Sequence, residues 1–229
     1  MSANKRGRKR TFTELARRAQ IVAAAIETIA EMGYGQASFA QIAQRAGLSS
    51  TGLISYHFAS KDELIEQLVD EVVTAGQAFM GPRIEAAVGA RAKLRAYLES
   101  NLEFMASHRA HIVAVAEIFN ALPRERGGQP APYGVWHERG IAQLQDLLRQ
   151  GQRAGEFASL STRVMALTIR AAIDAVGYQL GADPNLDLKT NARELSALFD
   201  RATRSGKPGE RAPGCSGERP RRTRRTAAD

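Results

Sequence analysis

Residues 38–61 carry two short helical patterns on either side of a tight turn, and this arrangement constrains the fold more than any other feature of the chain. Ser38 precedes Gln41 by three residues, which is the spacing of a capping box at a helix start. Apolar residues then recur at helical spacing as far as Ala46. Gly47 follows, and glycine commonly ends a helix. The pattern therefore predicts a first helix that begins after Ser38 and ends near Gly47.

A second helix is expected to begin at Ser49 or Ser50, because either hydroxyl can cap it. It is expected to run to about Phe58, with Ile54 four residues before Phe58 on its inner face. Two helices joined by so short a turn form a helix-turn-helix, whose second helix enters the major groove of DNA. Small hydroxyl side chains and an aromatic hydroxyl suit such a helix. The predicted DNA-binding residues are Ser49, Ser50, Thr51, Gly52, Ser55, Tyr56, His57 and Lys61.

This stretch resembles the DNA-binding domain of the TetR/AcrR family of bacterial transcriptional repressors, and the resemblance extends to about residue 75. The turn between Gly47 and Gly52 has one residue more than the common family form, and Ser55 stands where the family usually has tyrosine. The resemblance implies that the phosphate contact of that tyrosine passes to Tyr56 or is lost. The residues that match the family pattern are Ala46, Gly47, Gly52, Ile54, His57, Phe58, Ser60 and Lys61.

Composition narrows the class of protein. The chain has 229 residues, 44% of them hydrophobic, which is ample for a buried core, and no apolar run approaches the length of a bilayer span. The first ten residues lead into no apolar signal region, so we expect a cytoplasmic protein with no membrane contact. The single cysteine, Cys215, is given no role. The sequence has no Gly-rich phosphate loop and no nucleophile-elbow motif, so it predicts neither an enzyme nor a bound cofactor.

The formal charge of +8 is concentrated at the two ends of the chain. Residues 1–10 contribute five basic and no acidic side chains, and residues 205–229 contribute seven basic against three acidic ones. Because the basic arm directly precedes the DNA-binding motif, we expect it to follow the DNA backbone or to enter the minor groove. The alternative is a solvated terminus. Residues 205–229 have almost no large apolar side chains and are predicted to form a disordered basic tail. The sequence favours neither DNA contact nor simple solvation for this tail.

The rest of the chain is a succession of helical patterns with no convincing strand, so the predicted fold class is all-α. A capping box at Thr11 predicts a helix that precedes the helix-turn-helix pair and ends near Gly33, so that pair forms the second and third helices of the chain. Ser60 is expected to cap a fourth helix, which should break at Gly76 and at the Gly-Pro pair 81–82. Further helices are predicted over about 90–107, 108–122, 133–154, 161–180 and 191–204. The predicted organisation is a basic arm (1–10), a three-helix helix-turn-helix domain with the start of the linker helix (11–76), a helical bundle for effector binding and dimerisation (77–204) and the basic tail (205–229).

The last two helices carry apolar faces that suggest a dimer interface. Small side chains along the 161–180 helix would let a second helix approach closely, and the last helix could complete a four-helix seam about a two-fold axis. The alternative is that both helices complete the core of the monomer. The resemblance favours the dimer, because family members dimerise through their last two helices. The predicted contacts are Met165, Ile169, Ala172, Ile173, Val176, Leu195, Leu198 and Phe199.

Bulky and polar side chains on the other C-terminal helices are candidates for an apolar pocket with a few polar anchors, as a small-molecule site needs. They are also the ordinary filling of a helical bundle, so both interpretations stay open. His111 and His137 belong to the same set of side chains. His108 and His111 lie three residues apart, but no cysteine or carboxylate repeats the spacing of metal ligands, and no metal site is predicted. The candidate ligand contacts are Phe104, Met105, His108, Phe119, Trp136 and Tyr178.

A dimeric helix-turn-helix protein is expected to regulate transcription. Two recognition helices about one DNA turn apart should bind a roughly palindromic operator and block transcription where it overlaps a promoter. The resemblance implies that a small-molecule effector in the C-terminal domain moves the fourth helix and lowers DNA affinity. The alternative is an effector-independent activator or an architectural DNA-binding protein, for which the basic ends are the main evidence.

Overall fold

A computed structural model describes residues 11–122, 125–126, 129–130 and 132–205. Nine α-helices make up almost all of this part of the chain, and an antiparallel pair of two-residue strands lies between the sixth and seventh helices. This architecture confirms the all-α prediction. Residues 1–10, the tail beyond Ser205 and Cys215 lie outside the described residues. The elements are α1 (Phe12–Met32), α2 (Phe39–Arg45), α3 (Gly52–His57), α4 (Lys61–Ala86), α5 (Ala90–Ser107), α6 (Arg109–Ala121), β1 (Glu125–Arg126), β2 (Gln129–Pro130), α7 (Pro132–Arg153), α8 (Thr162–Ala182) and α9 (Leu188–Thr203).

Side-chain caps fix the start of three N-terminal helices. The Thr11 hydroxyl accepts a hydrogen bond from the backbone N–H of Glu14, whose carboxylate accepts one from the Thr11 N–H at 2.7 Å. Ser38 and Gln41 make the same reciprocal pair at the start of α2. The Ser60 hydroxyl caps α4. Each cap satisfies backbone donors that have no partner inside the helix, and each was predicted from the sequence.

The first hydrophobic core joins the helix-turn-helix to the C-terminal half of the chain. Ile21 and Ile29 of α1 share one buried cluster with Ile54 of α3 and Leu68 of α4. Ile118 of α6 belongs to the same cluster, and α6 packs directly against α1. The N-terminal helices therefore do not form a separate unit with a core of their own.

The second hydrophobic core lies among α5, α7, α8 and α9. It contains Leu98 of α5, Ile141 and Leu148 of α7, Ile173 of α8 and Phe199 of α9. α5 packs against α9, and α7 packs against α8. This bundle supports the wall of the cavity described below.

α4 runs without a break over 26 residues. The predicted breaks at Gly76 and at Gly81 and Pro82 are wrong. A proline removes one backbone donor and leaves the carbonyl four residues earlier without its helical partner. That carbonyl belongs to Ala78, and both Ala78 and Pro82 are exposed, so water can replace the missing N–H. One continuous helix therefore crosses the expected domain boundary after residue 76.

α9 begins at Leu188, three residues before the predicted start at Asn191. The carboxylate of Asp187 accepts a hydrogen bond from the backbone N–H of Thr190 at 3.0 Å and so caps the helix. Asp187 was the signal in the sequence that indicates this earlier start.

Candidate DNA interface and ligand cavity

α3 has one buried face and one exposed face. Ile54 and Phe58, which immediately follows the helix, are buried in the first core. Tyr56 is 69% exposed and makes an edge-to-face contact with the half-buried His57 ring. Polar side chains on such a face can reach phosphates and base edges. The predicted DNA-binding residues that are exposed are Ser49, Ser50, Thr51, Gly52, Ser55 and Tyr56.

The start of α3 differs from the prediction. The helix begins at Gly52, and the capping position is Thr51, whose backbone is already helical and whose side chain makes no capping hydrogen bond. The backbone N–H of Leu53 instead donates to the carbonyl of Ser50 at 3.4 Å. A tight backbone turn therefore takes the place of a side-chain cap. The expectation that Ser49 or Ser50 caps the helix is wrong.

Arg18 of α1 holds the end of α3 and the start of α4 in place. Its guanidinium carbon lies 3.9 Å from the centroid of the Phe58 ring. The guanidinium also donates to the backbone carbonyl of His57 and pairs with Glu63 at 3.2 Å. The side chain is buried, and a charged group is rarely buried unless it is paired in this way. Sequence reasoning missed Arg18.

Lys61, a predicted DNA-binding residue, is half-buried at the start of α4. Its ammonium donates to the carbonyl of Tyr34 at 3.3 Å and lies 4.3 Å from the centroid of the Tyr34 ring. Burial lowers the pKa of Lys61, although the neighbouring Asp62 carboxylate opposes this effect. Because an ammonium has three N–H donors, the hydrogen bond to Tyr34 is compatible with a further bond to a phosphate.

Leu53 is a residue of the exposed α3 face that sequence reasoning missed. It is 37% exposed and lies three residues before Tyr56, so the two side chains share one face. An apolar side chain in a DNA groove can contact the methyl group of thymine. Its spacing from Tyr56 was the available signal.

A cavity of about 140 Å³ lies between α5, α6, α7 and α8. Three of the predicted ligand contacts line it: Met105, Phe119 and Tyr178. The Tyr178 hydroxyl donates to the side-chain oxygen of Asn120 at 2.8 Å. His137 of α7 lines the cavity as well. The cavity therefore combines an apolar wall with polar groups, as a small-molecule site requires.

The other three predicted ligand contacts do not line this cavity. Phe104 belongs to the first core, its ring stacks on the His108 ring at a centroid distance of 4.2 Å, and Trp136 packs against the same core. Phe79 of α4 lies 5.6 Å from the Phe104 ring centroid. Phe104 and His108 therefore fill the junction of α4 with α5, and Trp136 of α7 covers the first core.

The polar side of the cavity is a cluster on α7 and α8. Arg170 Nε donates to Asp174 Oδ1 at 2.9 Å, and His137 Nε2 lies 3.4 Å from Asp174 Oδ2. Burial alone would raise the pKa of Asp174, but His137 and Arg170 hold it below its ordinary value. Burial likewise opposes the charge of Arg170, but Tyr97 and Asp174 raise the pKa of Arg170. Sequence reasoning missed Arg170 and Asp174, although two opposite charges four residues apart in an apolar helix were a usable signal.

Half of the predicted dimer contacts lie inside the subunit. Ile169, Ile173, Val176 and Phe199 are all buried in the second core, so they have no surface to offer a partner and their assignment to a dimer interface is wrong. The physical reason is that α8 is apolar on both faces, so periodicity could not tell which face points inward. Of the other predicted contacts, Met165, Ala172 and Leu195 are half-buried and Leu198 is exposed. The outward face of α8 carries Val164, Leu167, Thr168, Ala171, Ala175 and Tyr178.

Comparison with known proteins identifies the class to which this fold belongs, that of the bacterial helix-turn-helix regulators. Residues 21–68 match the family described as bacterial regulatory proteins, tetR family. BetI of Escherichia coli, an HTH-type transcriptional regulator, is 33% identical over 150 residues, which cover 52% of this chain and 76% of BetI. The chain belongs to the TetR family of DNA-binding transcriptional regulators.

Other relatives match over a shorter part of their length. BetI of Paraburkholderia phytofirmans is 39% identical over 88 residues, and BetI 1 of Chromohalobacter salexigens is 35% identical over 88 residues. These matches cover 38% of this chain and only 45% and 43% of the two relatives. The similarity to these two relatives therefore spans less than half of their length.

Solved structures share the fold over most of both chains. A TetR-family transcriptional regulator from Agrobacterium tumefaciens has a TM-score of 0.70 at 18% identity and covers 84% of this chain and 100% of its own. FadR from Bacillus subtilis, in complex with stearoyl-CoA, has a TM-score of 0.67 at 23% identity, covering 79% and 96%. AibR, in complex with isovaleryl coenzyme A and operator DNA, has a TM-score of 0.68 at 15% identity, covering 80% and 97%.

No group of three or more histidine, cysteine, aspartate or glutamate side chains in the described ranges is arranged to hold a metal ion. Among the helices that the structure describes, none combines the length and the apolar character needed to cross a bilayer.

Proposed function

We propose that the protein is a cytoplasmic, homodimeric repressor that binds a palindromic operator through α3 and is released from it by a small-molecule effector. The observation that carries the proposal is the way α3 is packed against its neighbours. Its polar face is exposed, while Ile54, Phe58 and Arg18 attach it to α1 and α4. A recognition helix held in this way can enter the major groove with little ordering cost.

In this proposal the α3 residues divide into two kinds of contact. Thr51, Leu53 and Tyr56 contact base edges, because they stand on the exposed face of the helix. Lys61 contacts a phosphate from the start of α4. Lys61→Ala should therefore weaken binding to all sequences, whereas Thr51→Ala should relax the preference at one base pair at a cost of about 1–3 kcal/mol.

We assign the dimer contact to the outward face of α8 together with Leu198 of α9. This face is a continuous stripe of apolar and small side chains, and Val164 and Leu167 on it are 61% and 39% exposed. Exposed stripes of this kind usually mark an interface. Two subunits joined through α8 would present two α3 helices to one DNA duplex.

We assign the effector to the cavity between α5, α6, α7 and α8. One face of α6 contributes Ile112, Val115 and Phe119 to the cavity wall, and the other face contributes Ala114 and Ile118 to the core shared with α1. A ligand that displaces α6 would therefore displace α1 and the recognition helix that rests on it. The acyl-CoA complexes of FadR and AibR support a small-molecule effector for this fold.

Selection of binding sites from random DNA, followed by a footprint, tests the operator assignment. We expect one recurrent site with a symmetric centre, and loss of that site with Tyr56→Ala. Binding that is uniform in sequence and limited only by salt would contradict the proposal and favour an architectural protein. A reporter fused to the selected site should become more active when the protein is removed, and a fall in activity would indicate an activator.

Sedimentation equilibrium tests the dimer assignment. We expect Leu167→Glu to give a folded monomer, because it places a carboxylate in the seam between two α8 helices without entering the subunit core. Leu53→Glu, which lies on the exposed face of α3, is the matched control and should remain a dimer. A wild-type monomer, or a dimeric Leu167→Glu variant, would contradict the assignment.

A further inference from the structure

The polar and apolar groups of the cavity come from different helices. Met105, Ile112, Val115 and Phe119 form the apolar side, on α5 and α6. Arg170, Asp174 and His137 form the polar side, on α7 and α8. A ligand that fits both walls must have an apolar body and a single polar end.

The hydrogen-bonding groups of the polar wall decide which polar end it accepts. Both oxygens of Asp174 already have partners, since Arg170 donates to Oδ1 and His137 lies at Oδ2. Asp174 is the only acid among the described lining residues, and it faces a permanently charged guanidinium. The wall therefore offers no uncompensated negative charge to a cation.

Arg170 has donors left for an anion. Its guanidinium has five N–H groups; Nε and Nη2 donate to Asp174, and the Tyr97 side chain is a further hydrogen-bond partner, which leaves at least two N–H groups. Tyr97 and Asp174 raise the pKa of Arg170 despite its burial, so it stays charged beside the cavity. A partly dehydrated guanidinium next to an apolar wall binds a carboxylate more strongly than it would in water.

The size of the cavity limits the apolar body. A volume of about 140 Å³ is close to that of a buried apolar cavity known to hold one benzene molecule, roughly 150 Å³. The body is therefore a single ring or a short branched chain.

We propose that the cavity binds a small monocarboxylic acid, whose ring or branched chain packs against α5 and α6 and whose carboxylate is bound by Arg170. This assignment rests on the proposed effector function and specifies the chemistry of its site. It differs from an acyl-CoA, because a thioester carries no carboxylate at the end of its acyl group.

Calorimetric titration of the full-length protein tests the assignment with defined probes. Benzoate, isovalerate and cyclohexanecarboxylate are the acids, and benzamide and benzylamine are the neutral and cationic counterparts. We expect at least one acid to bind, and benzoate to bind about tenfold or more tightly than benzamide and benzylamine, if it is that acid. Binding by none of the acids at about 10 mM, or tighter binding of benzylamine, overturns the assignment.

Variants of the cavity residues distinguish the loss of a ligand contact from a loss of folding. Arg170→Met should weaken binding of the acid about tenfold or more, whereas Arg163→Met, a surface position on the same helix paired with Glu138, should bind it as the wild type does. If Arg170→Met does not fold, Val115→Phe, which fills the apolar wall, should abolish binding of the acid. Undiminished binding in the folded Arg170→Met variant, or in Val115→Phe, overturns the assignment.

Operator affinity, measured with and without each probe, separates this inference from the proposed function. An acid that binds in the cavity without changing operator affinity leaves the site chemistry intact and contradicts the effector role. Release of the operator by benzylamine or isovaleryl-CoA, with no effect of the acids, supports the effector role and overturns the assignment of a carboxylic acid as the ligand.

Discussion

Arg18 lies on the buried face of α1, and its guanidinium reaches the last residue of α3 and the first turn of α4. Nothing in the sequence indicates this role, because an arginine in an amphipathic helix often extends its charged end into solvent. The exposure of Thr51 and Tyr56, by contrast, followed from the placement of Ile54 in the core. The role of a single residue could thus be predicted from the sequence where helical periodicity determines it. It could not be predicted where a contact between distant parts of the chain determines it.

We expect Arg18→Met to lower the free energy of unfolding by about 2 kcal/mol, because hydrogen bonds to a charged group contribute about that much. Operator affinity should fall with it, since α3 loses its attachment to α1. Urea denaturation measures the stability change. Arg149→Met is the control, because its exposed ion pair with Asp146 should contribute under about 1 kcal/mol. Equal losses in the two variants would contradict the role given to Arg18.

The stability of the fold should depend on pH through His111. Burial, and the His108 ring 5.5 Å away, lower the pKa of His111, although Glu27 opposes them. A histidine with a lowered pKa in the folded state binds protons more weakly than in the unfolded chain. The free energy of unfolding therefore falls as the pH drops below 6.5, the ordinary pKa of histidine. Glutamine at this position removes that contribution.

The free energy of unfolding at about pH 7.5 and about pH 5.5 checks this expectation, since the interval spans the ordinary titration range of histidine. His111→Gln should lose less stability between the two values than the wild type. A loss of the same size in both proteins would show that His111 titrates alike in the folded and unfolded chains.

Among the helices, starts were easier to predict than interruptions and buried faces. The caps at Thr11, Ser38 and Ser60 are local patterns of a few residues, and all three were found. The continuity of α4 through Pro82 depends on solvent exposure, which local sequence does not reveal. The buried face of α8 depends on which neighbours pack against it, and its apolar residues on both sides left that choice open.

α7 provides a matched pair of glycines. A Cβ atom at Gly151 would lie 2.1 Å from Phe157 Cδ2 and 2.8 Å from Ala90 Cβ, whereas at Gly140 no described heavy atom outside the local chain lies within 4 Å. We expect Gly151→Ala to destabilise the protein by about 1–3 kcal/mol through overpacking. Gly140→Ala should stabilise it by up to about 1 kcal/mol, because alanine favours the helix.

Thermal unfolding measures both glycine variants. The melting temperature should fall for Gly151→Ala and stay level or rise for Gly140→Ala. Phe157→Leu, combined with Gly151→Ala, should recover part of the loss because it removes the ring that the new methyl group meets. A rise in melting temperature for Gly151→Ala would contradict the close packing of α7 against the α7–α8 turn.

At the scale of the whole molecule, the sequence indicated two consecutive domains joined by the fourth helix. The structure adds a second connection, because α6 packs against α1 and contributes Ala114 and Ile118 to the core of the helix-turn-helix. Segments about ninety residues apart in the chain share this core, and helical periodicity contains no information on such pairing. α6 therefore both lines the cavity and packs on α1, the helix that supports α3.

The central claim is that two recognition helices, held at a fixed separation by a dimer, read two half-sites of one operator. Operator affinity as a function of half-site spacing tests it most directly. An insertion of five base pairs at the centre of the selected site turns one half-site to the opposite face of the duplex, since a DNA turn is about 10.5 base pairs. We expect this insertion to reduce affinity to that of an isolated half-site, while point changes in the central base pairs have little effect. Unchanged affinity after the insertion would mean that each subunit binds DNA on its own, and it would contradict the account.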